Sequence, residues 1–419
     1  MNYPKPASVF NIAVIVAALG YFVDIYDLLL FTIVREPSLA ALSVDLNIKK
    51  DVIAASTHVI NWQMWGLIIG GIIWGIMGDK KGRLSVLFGS IVLYSVANFF
   101  TSYVQTVEQY AYARFATGIG LAGELGAGIT LVSELLPKNK RGIGTSLVAG
   151  IGLFGAVAAY FTFKFTDNDW RLCYKIGAVM GILLLFLRIT VAESGMYRQV
   201  RQQKISRGNF FLFFNHAKRF RKYMLAILIG MPTWFVIGIL VNLSNRFATE
   251  FYGKNAIESG RSIMYAYAAI AVGDILIGFV SQYFKSRKKA LYLFYFFAII
   301  SGIYFFTGVK DDSSMYVACA CLGFSTGFWA IFVTMGAEQF GTNLRATAAT
   351  TIPNMVRGSL PLINLMFVNL FQNSIGWPFV KSAMITGIIV MAITLIAAYF
   401  TEETFHKDLN YTEAEEAMP

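Results

Sequence analysis

Apolar runs of about 20 residues or more, separated by short clusters of charge, recur along this sequence from one end to the other. A helix rising ~1.5 Å per residue needs about 20 residues to cross ~30 Å of hydrocarbon, and no water there satisfies backbone polar groups. That leaves a chain of this pattern one general solution, an all-α bundle of membrane-spanning helices. Composition agrees: 14% of residues are charged and 56% hydrophobic, against ~25% charged in a usual soluble domain. The first run, from about Val9 to Val34, is too long for a signal-peptide core and lacks a small-residue cleavage site, so it reads as a retained helix.

Spans are expected near residues 9–35, 52–77, 84–103, 107–135, 143–164 and 172–190, and again near 223–248, 260–284, 290–307, 314–339, 346–372 and 378–400. The implied organisation is a six-helix bundle over 1–190, a linker with a basic amphipathic helix over 191–222, a second bundle over 223–400 and a tail over 401–419. Twelve crossings put both termini on one side. The loops and tails of that side hold 21 Lys or Arg, and the opposite loops about eight, so the positive-inside rule makes both termini cytoplasmic. The +11 net charge is therefore a topology signal, and no nucleic-acid partner is expected. Cys173, Cys319 and Cys321 all fall inside spans, an odd set that suits neither a disulfide framework nor a metal centre. No metal and no cofactor is expected.

The two halves carry traces of a repeat. At an offset of 204 residues Arg83 falls on Arg287, Lys81 on Lys285, Glu134 on Glu338 and Arg141 on Arg345. Duplicated halves place a substrate path between them. The turn after the second span reads "GIMGDKKGR", with Gly75, Asp79, Lys80, Gly82 and Arg83 in the order G-x-x-x-D-K-x-G-R. Glycine there permits positive φ and close packing, while aspartate can cap a helix or pair with an arginine. The second half's copy, "SQYFKSRKKAL", lacks the aspartate and the glycines.

This loop resembles the signature of the major facilitator superfamily. The stretches "ARFATGIGLAGELGAGITLVSELLPKNKRG" and "GAEQFGTNLRATAATTIPNMVRG" are similar to its metabolite:proton symporter and sugar-porter branches. The resemblance implies two six-helix halves, alternating access, and a loop that latches one access state. Glu134 with Arg141, and Glu338 with Arg345, are expected to join Gly75, Asp79, Lys80, Gly82 and Arg83 in that gate. The fifth span, "SLVAGIGLFGAVAAYF", has no proline, unlike the antiporters of this superfamily.

Six charges lie away from span ends: Asp24, Asp27, Arg114, Glu124, Asp274 and Arg357. An intramembrane carboxylate costs roughly 2.5–3.5 kcal/mol on the lenient insertion scale and needs a reason. Four acids face two arginines, so full ionisation would leave unpaired negative charge in a low dielectric, and at least one acid should exchange protons. Asp24 and Asp27 are three apart on one helix face, and Arg114 matches the depth of Asp27, about 10–12 Å from the outer surface. These two aspartates lead as proton-coupling sites, with Glu124 and Asp274 behind them. Arg357, flanked by Pro353 and Pro361, could clamp an anion together with Arg114. Tyr21, Gln63, Trp234 and Asn242 are further substrate-binding candidates, with His58, Asn61 and Trp329 weaker ones.

The expected function is proton-coupled symport of a small organic anion or zwitterionic metabolite, with the bilayer, the substrate and protons as partners. A monomer in a bacterial-type inner membrane is expected, and no enzyme activity. A proton-linked exporter of the same fold, uptake of a sugar or a polycarboxylate chelator, and a non-transporting membrane sensor are the alternatives.

Overall fold

The computed structural model describes residues 11–45, 49–137, 140–188, 208–253 and 257–413, and among these every regular element is helical. Eleven helices are long and apolar enough to cross a membrane. The first six crossings are Ile12–Ala41, His58–Lys81, Arg83–Thr101, Val107–Leu135, Arg141–Phe165 and Trp170–Arg188. The seventh to tenth are Ala217–Val241, Ser259–Phe284, Arg287–Thr307 and Asp312–Glu338, and Phe379–Phe400 is the twelfth. The eleventh runs through Arg345–Gly358, Leu360–Asn364 and Leu365–Ser374. Its first segment is polar, with Thr347, Thr350, Thr351, Asn354 and Arg357 all buried. It meets the other half of the protein rather than lipid, so hydropathy alone passes over it. The chain enters and leaves the bundle at one end, called here the termini end.

Helix starts follow their local chemistry. The side chains of Asn11, Thr106 and Ser286 each accept a hydrogen bond from a backbone N–H of the first turn, and Asp311 forms a reciprocal capping box with Ser314. The seventh crossing begins at Ala217, six residues before the expected boundary, because His216 accepts from Lys218 N at 3.2 Å. Lys218, Arg219, Arg221 and Lys222 therefore belong to its first turns. Residues 191–207 of the expected basic amphipathic helix lie outside the described residues, and between them and Ala217 only a short 3-10 helix, Phe210–Phe213, forms.

Several crossings are broken in mid-membrane, where freed backbone groups need partners. The fourth breaks between Leu121 and Glu124, and Asn354 of the eleventh donates to the Ala122 carbonyl at 3.0 Å. The tenth breaks between Ser325 and Trp329, and Asp274 of the eighth accepts from Ala330 N at 2.9 Å. The eleventh breaks after Gly358, where Pro361 supplies no N–H. Each repair comes from another crossing, so the breaks are held by tertiary structure.

Candidate transport gate and central cavity

At the termini end, the two halves repeat one ion pair. Arg83 bonds Glu134 at 2.8 Å and Arg287 bonds Glu338 at 3.2 Å. All four residues are buried, and the 204-residue offset relates both members of the pair. The halves then lock to each other. Asp79 accepts from Ala346 N (3.1 Å), Thr347 N (2.9 Å) and Thr347 Oγ1 (2.7 Å), so one half's aspartate caps the N-terminus of the other half's helix. Glu134 also bonds Arg345 across the interface at 3.2 Å, and Arg83 donates to the Thr342 carbonyl. Gly82 adopts φ 106°, and a Cβ at Gly75 would come 2.9 Å from Thr347 Cα. In the degenerate copy Lys285 takes a left-handed conformation at φ 50° instead. Lys80 is exposed on the turn, and Arg141 donates to the Leu136 carbonyl at 3.2 Å. The expected gate residues are thus gathered at one end, with Glu134 paired to Arg83 and Arg345 rather than to its sequence neighbour Arg141.

The tail adds a strap that the sequence analysis left as a plain extension. Glu403 accepts from Ser286 Oγ, Arg287 N and Lys288 N, and so caps the ninth crossing. Thr404 Oγ1 donates to Glu338 at 2.7 Å, and Phe405 lies 5.2 Å from the Arg287 guanidinium. Farther on, the Leu409 carbonyl accepts from Arg345 Nη2, and Thr342 N donates to the Tyr411 carbonyl at 2.8 Å. At the far end a charge contact between the halves is different in kind: Lys164 to Glu258 at 2.9 Å, both over 40% exposed. The structure is shut at the termini end by buried charge and held at the far end by a surface pair.

The intramembrane charges separate into three settings. Glu124, expected among the proton-coupling acids, is bound to Arg188 at 2.5 Å and accepts from Ser90 Oγ at 2.6 Å. Arg188 is 1% exposed and donates also to the Leu87 carbonyl. Its place at the end of the sixth run hid it from the count of intramembrane charges. Asp274 spends one oxygen on the helix cap at Ala330, which favours a structural role. Asp27 does not form the expected ion pair: Arg114 Nη2 donates to the Asp27 backbone carbonyl at 2.7 Å, and its other bonds go to Gln63 and Asn98 at 3.3 Å. Three residues of helix turn about 300°, leaving a 60° difference. That suffices to face Asp27 toward Gly177 of the sixth crossing, while Asp24 lies within electrostatic reach of Arg357 in the other half. Both carboxylates are fully buried, and neither accepts a hydrogen bond among the described residues.

A small central cavity lies between the halves. Tyr21, Ile25 and Leu28 of the first crossing and Leu153 of the fifth form one wall. Thr233, Trp234, Tyr267, Ile270, Trp329 and Arg357 form the other. Asp24 sits one turn from Tyr21 and from Leu28, on the same helix stripe. Arg357 ends a helical segment, donates to Asn354 at 3.0 Å and lies 5.8 Å from the Trp329 ring centre. The cavity wall includes neither Arg114 nor Gln63 nor Asn242. Gln63 donates to the Leu28 carbonyl at 3.1 Å and braces Arg114, so the expected two-arginine clamp reduces to one arginine. His58 pairs instead with Glu108 at the far end. Sequence reasoning missed Thr233 and Tyr267, which carry no charge to mark them in an apolar run.

Two repeated bundles of helices, a cavity shared between them and a cluster of buried charge at one end are the architecture of a polytopic membrane carrier. The sequence profile of the Major Facilitator Superfamily matches residues 12–363, and the chain belongs to that family. It is a membrane transporter and not an enzyme. It is 28% identical over 357 residues to a proposed metabolite transport protein of Haemophilus influenzae, covering 82% of this chain and 85% of that one. A proposed niacin/nicotinamide transporter, NiaP of Bacillus subtilis, is 24% identical over 394 residues, with 91% and 93% covered. The fold matches the proton:xylose symporter XylE bound to 6-bromo-6-deoxy-D-glucose at TM-score 0.78 and 16% identity, over 96% of this chain and 98% of that one.

Proposed function

We propose that the protein is a proton-coupled symporter of a small organic anion or zwitterionic metabolite. The observation that carries this reading is Asp24, a fully buried carboxylate without a hydrogen bond, on the cavity stripe and within reach of Arg357. A substrate carboxylate arriving at Arg357 brings a second negative charge near Asp24 and competes with it for the same guanidinium. Anion binding and proton uptake at Asp24 then favour each other, which is the linkage a symporter needs. Asp27, buried beside Arg114, is the second coupling candidate. The names of the relatives, metabolite and niacin/nicotinamide transporters, are consistent with small solutes of this kind. The excess of basic loop residues makes the termini end cytoplasmic, so the closed gate faces the cytoplasm of a bacterial-type inner membrane. No resident cofactor takes part, because the proton gradient is the energy source.

Proteoliposome uptake of a panel of mono-, di- and tricarboxylates and zwitterions, with and without an inward proton gradient, tests the reading. At least one anion should accumulate only with the gradient. Asp24→Asn should abolish accumulation but keep counterflow of the same anion. Gradient-driven accumulation that survives in Asp24→Asn would move the coupling site to Asp27. Transport indifferent to the gradient in the parent protein would reject symport.

A further inference from the structure

The central cavity has a composition that narrows its ligand. One cation lines it, Arg357, and no second arginine or lysine does. Four rings line it as well: Tyr21, Trp234, Tyr267 and Trp329, each no more than 6% exposed. The remaining surface is aliphatic apart from Thr233. Several donors on this wall have no partner among the described residues: Trp234 Nε1, Trp329 Nε1, Thr233 Oγ1 and Arg357 Nε. A buried donor left unmade costs free energy unless a ligand accepts from it, so these groups mark where acceptor atoms belong.

We infer that the cavity takes a planar aromatic monocarboxylate, its carboxylate on Arg357 and its ring against the aromatic walls. This deepens the proposed organic-anion symport and rests on it. The chemistry of the lining agrees with each part. A dicarboxylate would bury its second charge against rings and aliphatic side chains, at a cost no nearby cation offsets. A zwitterion's ammonium would meet ring faces and the hydroxyl oxygens of Tyr21, Tyr267 and Thr233 on this wall, with no carboxylate in the lining to pair with it. A sugar presents hydroxyls all round, yet the lining contains no amide and no carboxylate to receive them. Flat π-faces meet flat walls in offset or edge-to-face packing, a preference that a puckered ring of equal size does not share. The unpaired indole N–H groups can donate to a ring nitrogen, a ring hydroxyl oxygen or the carboxylate's second oxygen.

The test is equilibrium binding to the full chain in nanodiscs by calorimetry, with benzoate, cyclohexanecarboxylate, benzamide, succinate and glucose as probes. Benzoate should bind at least about fivefold more tightly than cyclohexanecarboxylate, the range that an aromatic contact supplies beyond buried area. Benzamide and succinate should bind at least about tenfold more weakly, since one lacks the charge and the other the ring. Trp329→Leu should bring the ratio of the two ring acids close to one, while Trp329→Phe keeps it. Equal binding of the two ring acids in the parent protein overturns the aromatic assignment and leaves organic-anion symport standing. Succinate binding more tightly than benzoate does the same. Binding of glucose without either ring acid at millimolar concentration overturns both readings.

Discussion

At the scale of single residues, position in a charge network decides role more than residue type does. Asp24, Asp27, Asp79, Glu124 and Asp274 are all buried acids on helices, yet their settings differ: Asp24 and Asp27 are unbonded buried carboxylates, Asp79 caps a helix across the halves, Glu124 is an ion-pair partner and Asp274 caps a neighbouring crossing. Asp79→Asn should loosen the shut state, because a charge-assisted bond to backbone N–H is worth about 1.5–3 kcal/mol, or roughly 10- to 150-fold in population. Thr350 is buried where the halves meet, against Gly126. A Thr350→Cys reporter in a protein without its three native cysteines should therefore react with maleimide from the termini side faster once Asp79→Asn is added. Unchanged labelling would assign Asp79 a purely structural role. Sequence spacing singled out Asp79 correctly because a tight turn with that order of glycines has few uses. It could not show that the bonding partners lie 267 and 268 residues away.

Outside the membrane, Glu403 offers a pH test. Partial burial alone would push its carboxyl up, but bonds from Ser286 Oγ and from the N–H groups of Arg287, Phe405 and Lys288 outweigh this and hold it below its ordinary 4.5. A carboxyl depressed by folding stabilises the folded protein fully above that ordinary value, and the contribution fades as pH falls through the depressed one. Limited proteolysis should therefore release the tail only in acid below about pH 4.5. Glu403→Gln should release it already at neutral pH. A tail equally protected in that variant would show that Thr404, Leu409 and Tyr411 hold it without the carboxylate.

At the scale of elements, the broken helices carry the function, and repairs across the interface tie them together. Asn354 accepts from Arg357 and donates to the Ala122 carbonyl in the opposite half. It therefore joins the cavity's cation to the half–half contact. Asn354→Ala should weaken the shut state by roughly 1–3 kcal/mol, because the Ala122 carbonyl and the Arg357 donor both lose a partner. Faster maleimide labelling of Thr350→Cys, with fold retained by circular dichroism, checks it; labelling at the parent rate would reject the link. Gly126 faces Thr350 so closely that a Cβ there would lie within 2.7 Å of its backbone nitrogen. Gly126→Val should wedge the same interface open. Helix periodicity and span length were legible in the sequence. The breaks were not, except beside Pro361, because a helix interrupted by a partner's side chain leaves no local mark; Pro353 lies inside the unbroken segment Arg345–Gly358.

For the whole molecule, the two ends of the bundle differ in how they are held, and that difference predicts their responses. Removing the exposed pair at the far end by Lys164→Ala should change thermal stability by less than about 1 kcal/mol. Arg345→Ala should destabilise the shut state by about 3–5 kcal/mol, since Glu134 would remain buried without its ion-pair partner from the other half. Melting temperatures in nanodiscs measure both, and equal effects would contradict the asymmetry. The 204-residue repeat made the matching pairs Arg83–Glu134 and Arg287–Glu338 foreseeable. Their use as one joint gate depends on how the halves dock.

The sequence alone determined the class of structure: apolar run length, alternating loop charge and the second-loop motif follow from local rules of bilayer energetics and turn geometry. Tertiary structure decided which buried charge is satisfied. Arg188 captures Glu124, Arg114 holds a backbone carbonyl, and Arg357 alone of the arginines lines the cavity, so Asp24 emerges as an unbonded buried carboxylate one helix turn from the cavity wall. The physical reason is range. Span formation is settled within about 20 residues, whereas pairing in a low dielectric is settled by whichever side chain, from anywhere in the chain, arrives within a few ångströms.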